Sequence, residues 1–91
     1  MIAFSGFEWD EEKRRANVAK HHIDFIVATE VFADPRQFSY RSPHRSNEER
    51  YVSVGKVREK IIAVVFTQRG GNLRIISARA ARKNERERYD R

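Results

Sequence analysis

Arg74, Ser77 and Arg79 stand at the end of the apolar run LRIISAR, residues 73–79, where three polar side chains gather at a place that can hold an anion. Arginine suits that task because its planar guanidinium donates two parallel hydrogen bonds to a phosphate or a carboxylate. Glu85 and Tyr89 follow at a spacing of four and share a helix face with Ala81. Arg79 therefore has two readings: it grips an external anion, or it pairs with Glu85 or a helix terminus. Strict alternation puts positions 74 and 79 on opposite faces of a strand, so the two arginines share a site only if the strand ends or bulges before Arg79.

Positioning these groups takes a strand that runs into a helix. Leu73, Ile75 and Ile76 are strand residues, and near Arg79 the apolar period lengthens from two to about 3.6 among strong helix formers. Upstream, Gly70, Gly71 and Asn72 make a turn. Ile61 to Phe66 is apolar at every position, as a central strand covered on both faces requires. Arg50 to Lys56 alternates, with Arg50, Val52 and Val54 on one side and Tyr51 and Ser53 on the other, the pattern of a half-buried strand; Gly55 to Glu59 supplies its turn. A short strand at Gln37 to Tyr40 leads into a polar, proline-bearing connection.

The N-terminal half reads as helical after an edge strand at Ala3 to Trp9. Asp10 caps a helix that runs to His21, with Ala16, Ala19 and Ile23 as its apolar stripe and Lys13, Asn17, Lys20 and His21 on the polar side. Asp24 caps a second helix, Phe25 to Phe32, with Phe25, Ala28 and Phe32 toward the core; Ile26, Val27 and Val31 spread its apolar surface beyond the usual stripe. The expected fold is α+β: a short N-terminal strand, two helices, an antiparallel sheet of three to four strands and a C-terminal helix, all in one domain over residues 1–91.

With 91 residues and a formal charge of +6, and with 14 of the 19 basic residues arginine, the chain points to a polyanion or a strongly acidic protein as its partner. It has no cysteine, so disulfides and thiolate metal sites are excluded. The N-terminus shows neither a basic leader nor a long apolar run, and the expectation is a cytoplasmic protein with no membrane partner.

FEWDEEK at Phe7 to Lys13, the N-x-x-KH of Asn17 to His21, VFADP at Val31 to Pro35, ERY at Glu49 to Tyr51, VG at Val54 and Gly55, and RIISARAA at Arg74 to Ala81 followed by Glu85 and Tyr89 together resemble the BrnT family of ribonuclease toxins. The resemblance covers nearly the whole chain. It implies a RelE-like fold, messenger RNA as substrate, and a ribbon-helix-helix antitoxin of the BrnA type. It further implies a 2:2 toxin–antitoxin heterotetramer that meets DNA only through the antitoxin. Two features depart from the family pattern. His22 replaces the usual glycine where a helix end often needs positive φ, and Ile26 and Val27 replace an acidic pair.

RelE-like chemistry, as the resemblance implies it, makes the RNA 2′-OH the nucleophile and needs cations at the phosphate, a base and an acid, with no metal or cofactor. Arg79 and Arg74 are the phosphate ligands of that scheme. His21 is its proton-handling candidate, since imidazoles titrate near neutrality, although capping the last carbonyls of its helix is an equal alternative. Glu85 and Tyr89 complete the catalytic set, unless Tyr89 is simply the helix's apolar anchor. Lys20, Arg50, Arg41, Arg45 and Arg69 are candidate RNA contacts, with His44 in the same loop as Arg45; a solvated helix-end lysine is the commoner reading of Lys20, and half of an ion pair with Glu49 is the alternative for Arg50. The competing functions are a non-catalytic RNA-binding module and an interaction module for an acidic partner. An antitoxin is expected to cover the surface between the second helix and the last one.

Overall fold

The computed structural model describes residues 6–43 and 48–91. Its elements are β1 (Phe7–Glu8), α1 (Glu11–His21), α2 (Phe25–Ala28) continuing as a 3₁₀ turn (Thr29–Ala33), β2 (Phe38–Arg41), β3 (Tyr51–Val57), β4 (Lys60–Arg69), β5 (Asn72–Ala80) and α3 (Lys83–Tyr89). The strands form one five-stranded sheet in the order β1-β5-β4-β3-β2. All neighbours are antiparallel except β1, which pairs parallel to β5 through Phe7–Leu73 and Glu8–Arg74. The sheet is thus mixed and five-stranded rather than an antiparallel sheet of three to four strands. The difference is a pairing between chain ends that no local pattern announces.

The helix starts follow from their caps. The Asp10 carboxylate accepts from the amides of Glu12 and Lys13, and Asp24 accepts from Ile26 N. The end of α1 is closed by His22 in the left-handed region, φ 61° and ψ 26°, with its amide on Val18 O at 2.9 Å.

One sheet face is covered by α1, α2 and the 3₁₀ turn. Phe25, Ala28 and Val31 pack there on Val57, Ile62, Val64, Ile75 and Ala78. The inward side of α1 is not the alanine stripe, because Ala16 and Ala19 are exposed while Asn17 is buried. The Asn17 amide donates to Ala78 O at 2.9 Å and accepts from Ala78 N at 3.1 Å, so it closes the open edge of β5 beyond the two-residue β1. It also donates to Ile23 O at 2.8 Å, tying the loop after α1 to the same place.

β3 is buried on both faces, not one: Ser53 and Gly55 lie under the helical layer. Gly55 belongs to the strand, and a Cβ there would stand 2.9 Å from Val31 Cγ2, so glycine lets the 3₁₀ turn approach. The β3–β4 turn is made instead by Arg58 and Glu59, both at positive φ. The opposite sheet face carries α3, with Ala81 and Tyr89 on Val52, Val54 and Ala63. The second helix and the last one therefore lie on opposite faces of the sheet. Their layers meet at one corner, where Tyr89 OH donates to Asp34 Oδ2 at 2.5 Å. Among the described residues no helix is long and apolar enough to cross a membrane.

Candidate active site

Both arginines of the LRIISAR run face the α3 side, and a bulge puts them there. Ile75 pairs with Phe66 and Ser77 with Val65, so Ile76 is an extra residue in β5 with no partner of its own. Arg74 then lies opposite Thr67 and Arg79 opposite Ala63, four positions apart on β4 and so on one face. The bulge resets the alternation that would have separated them.

Arg79 is held by Glu85, the third residue of α3. Its Nη1 lies 2.7 Å from Oε1 and its Nη2 3.1 Å from Oε2, a bidentate fork, and Nη1 also reaches Ala80 O at 3.3 Å. The same carboxylate accepts the Arg82 amide at 2.8 Å, which caps the first turn of α3, and the hydroxyl of Tyr40 from β2. Burial alone would raise the Glu85 pKa. The Arg79 fork, the Arg82 amide and Tyr40 outweigh it and pull the carboxyl down to about 2. Glu85 is thus ionised at neutral pH with both oxygens occupied, which makes it a positioning group for Arg79 and Tyr40 rather than a proton acceptor. In turn, burial and then the Glu85 carboxylate raise the Tyr40 pKa, so this hydroxyl stays protonated. The fork is end-on, through both terminal nitrogens, and the Tyr40 hydroxyl also lies against the Arg79 guanidinium.

At the other end of this face, Arg74 Nη1 pairs with Glu8 Oε2 at 2.6 Å, and Asn72 Nδ2 touches Glu8 Oε1 at 3.3 Å. The Arg74 and Asn72 side-chain hydrogen bonds hold the Glu8 carboxyl below its usual range. Continuing the β3–β4 register by one residue puts Arg50 opposite Thr67 on the same face. Arg69 is there too, in an exposed pair with Glu48 at 3.0 Å.

The remaining candidates are spread more widely. Arg41 shares its face with Tyr51, on the helical side, and pairs with Glu49 at 3.0 Å in full view of solvent. Lys20 and His21 occupy the last turn of α1, on the β5 edge that Asn17 closes. Tyr89 points to Asp34, away from the Arg79 fork, with the Arg36 guanidinium 5.1 Å over its ring. Arg45 and His44 lie outside the described residues. Tyr40 is the member of the site that the sequence reading passed over; alternation in β2 sets Phe38 and Tyr40 on one side, and that was the available signal.

Residues 9–85, nearly the whole chain, match the family described as ribonuclease toxin, BrnT, of type II toxin–antitoxin system. The chain belongs to the BrnT toxin family. No curated protein sequence matches it. As a BrnT protein it has RNA as its target and an antitoxin as its partner. The matched span takes in the arginine face, from Glu49 and Arg50 through Arg74 and Arg79 to Glu85. His22, where the resemblance implies a glycine, holds the left-handed backbone that ends α1.

Proposed function

We propose that this BrnT protein is a metal-independent endoribonuclease that cuts messenger RNA on the sheet face carrying Arg74 and Arg79. The observation that carries the reading is the bulge at Ile76, which brings both arginines to one face. There Arg79 meets the scissile phosphate and stabilises the charge that builds as the 2′-OH attacks, while Arg74 holds the RNA strand further along the same face. Glu85 and Tyr40 keep Arg79 in place. His21 handles a proton from across the β5 edge: α1 covers the other sheet face, and its Asn17 is anchored at Ala78, the neighbour of Arg79. The fold is of the RelE kind, the working compartment is the cytoplasm, and the antitoxin is a ribbon-helix-helix protein of the BrnA type in a 2:2 assembly. That assembly covers the arginine face and silences the toxin.

Labelled RNA incubated with the purified protein, with and without EDTA and with and without the neighbouring gene's product, tests this. The expected products carry a 2′,3′-cyclic or 3′ phosphate and a 5′-hydroxyl, form in EDTA, and vanish when the antitoxin is present. Products with 5′-phosphates, or activity restored by magnesium after chelation, would overturn the mechanism.

A further inference from the structure

Arg50 holds the one buried side-chain nitrogen or oxygen that lacks a hydrogen-bond partner among the described residues, its Nε. A buried guanidinium N–H without an acceptor is costly, and folded proteins keep few of them unless something else supplies the acceptor. The place of this donor matters. Thr67 of β4 has Arg74 opposite it on β5 and, one step beyond the last paired residues, Arg50 opposite it on β3. The two arginines therefore flank Thr67 at the same level of the sheet, their Cα atoms two strand spacings or about 10 Å apart. Thr67 itself is buried and its hydroxyl donates to Glu49 O at 2.7 Å, so it keeps no free donor of its own between the two arginines. Arg74 is tethered from its outer side by Glu8, which fixes one of its terminal nitrogens and leaves its other donors for a ligand.

We propose that Arg50 and Arg74 close from both sides on a single RNA phosphate above Thr67, a subsite distinct from the Arg79–Glu85 corner. Arg79 lies four residues further along the sheet, about 13 Å by strand rise. The clamp thus holds the backbone of the bound strand while Arg79 addresses the phosphate at the far end of the face. The inference rests on the reading of this face as the RNA site. It adds that two arginines share one phosphate and that the enclosed Arg50 Nε–H, without an acceptor in the free protein, turns outward to meet it.

A 2′-O-methyl RNA oligomer, which cannot be cut through its 2′-OH, separates binding from cleavage. Its affinity is measured over a series of salt concentrations for the wild type, Arg50→Ala, Arg74→Ala and the double variant, each checked for folding by circular dichroism. Each neutralised phosphate on a single strand contributes about −0.7 to the slope of log K against log salt. Sharing predicts that Arg50→Ala weakens binding, and that the double variant loses about 0.7 of slope, one phosphate, rather than about 1.4. The Arg50 Nε–H resonance should also shift on adding the oligomer. A double variant that loses about 1.4 would show two separate phosphates and overturn the clamp. So would Arg50→Ala with unchanged affinity and slope. If the wild type binds no RNA, the clamp falls together with the RNA reading, whereas RNA cleavage with an Arg50 variant of normal affinity removes the clamp alone.

Discussion

Replacing Glu85 by glutamine removes the charge at the centre of the Arg79, Arg82 and Tyr40 network without changing its shape. A carboxyl whose pKa is 4.5 in the unfolded chain and about 2 in the folded one contributes about 3 kcal/mol of stability at neutral pH. Because the folded pKa is the lower one, that contribution is complete above about pH 5 and is lost as the pH falls from there toward 2. Glu85→Gln lacks the contribution at every pH. It also leaves the Arg79 guanidinium, 17% exposed, beside a neutral amide. Urea denaturation should therefore place the variant about 3 kcal/mol below the wild type at pH 7, or about 1.5 M in midpoint for a slope of about 2 kcal/mol per molar. The gap should close as both proteins are taken toward pH 2.5. A domain of this size has about 5 to 13 kcal/mol in all, so the loss is large enough to read. A gap that stays constant across that pH range, or a pH 7 difference under about 1 kcal/mol, would refute the charge argument.

Three further outcomes follow from the same contacts. His22→Gly relieves a non-glycine residue at φ 61° and should raise stability by about 0.5 to 1 kcal/mol in thermal melts with RNA cleavage unchanged; destabilisation would show that the His22 side chain is needed there. Asn17→Leu leaves the buried amide and carbonyl of Ala78 without partners and should cost about 2 to 4 kcal/mol, with faster amide exchange at Ala78; a neutral substitution would mean that water replaces the asparagine. His21→Ala should leave the urea midpoint within about 0.5 kcal/mol and slow cleavage with an altered pH profile, and an unchanged profile would remove His21 from the proton path.

Much of this arrangement was legible in the chain, and what was not has physical reasons. Asp10, Asp24 and the left-handed His22 are set by interactions within four residues, which is why the starts and the first turnover of the helices read correctly. The Ile61–Phe66 run lies within the central strand β4, with buried residues on both faces. Asn17 was assigned to the polar side because asparagine is polar; what buries it is the unpaired edge of β5, sixty-one residues away. Gly55 looked like a turn residue because glycine serves turns, and only the close approach of Val31 shows that it serves a strand. Within the site, the sequence allows Arg79 either an external anion or Glu85, and the folded chain makes the Glu85 pair. The bulge at Ile76 has no composition signal of its own, since LRIISAR reads as an even strand, yet it decides that Arg74 and Arg79 face the same way. Tyr40 enters the site from β2 across two strands, a distance at which local periodicity carries no information.

The most direct test of the central claim, that the bulged arginine face is where RNA is cut, is the single-turnover rate of RNA cleavage by Arg74→Ala and Arg79→Lys. Lysine at 79 keeps the charge opposite Glu85, and so the fold, but loses the planar fork; alanine at 74 opens a partly exposed ion pair that contributes little to stability. Loss of one charge-stabilising contact at a reacting phosphate costs about a hundredfold or more in rate. Both proteins should therefore melt close to the wild type; Arg79→Lys should cleave about a hundredfold more slowly or worse and Arg74→Ala, which loosens the bound strand, more slowly than the wild type, while Arg41→Ala, on the opposite face, should cleave at nearly the wild-type rate. Two well-folded variants that cut RNA as fast as the wild type would contradict the account and move the chemistry to another surface of the protein.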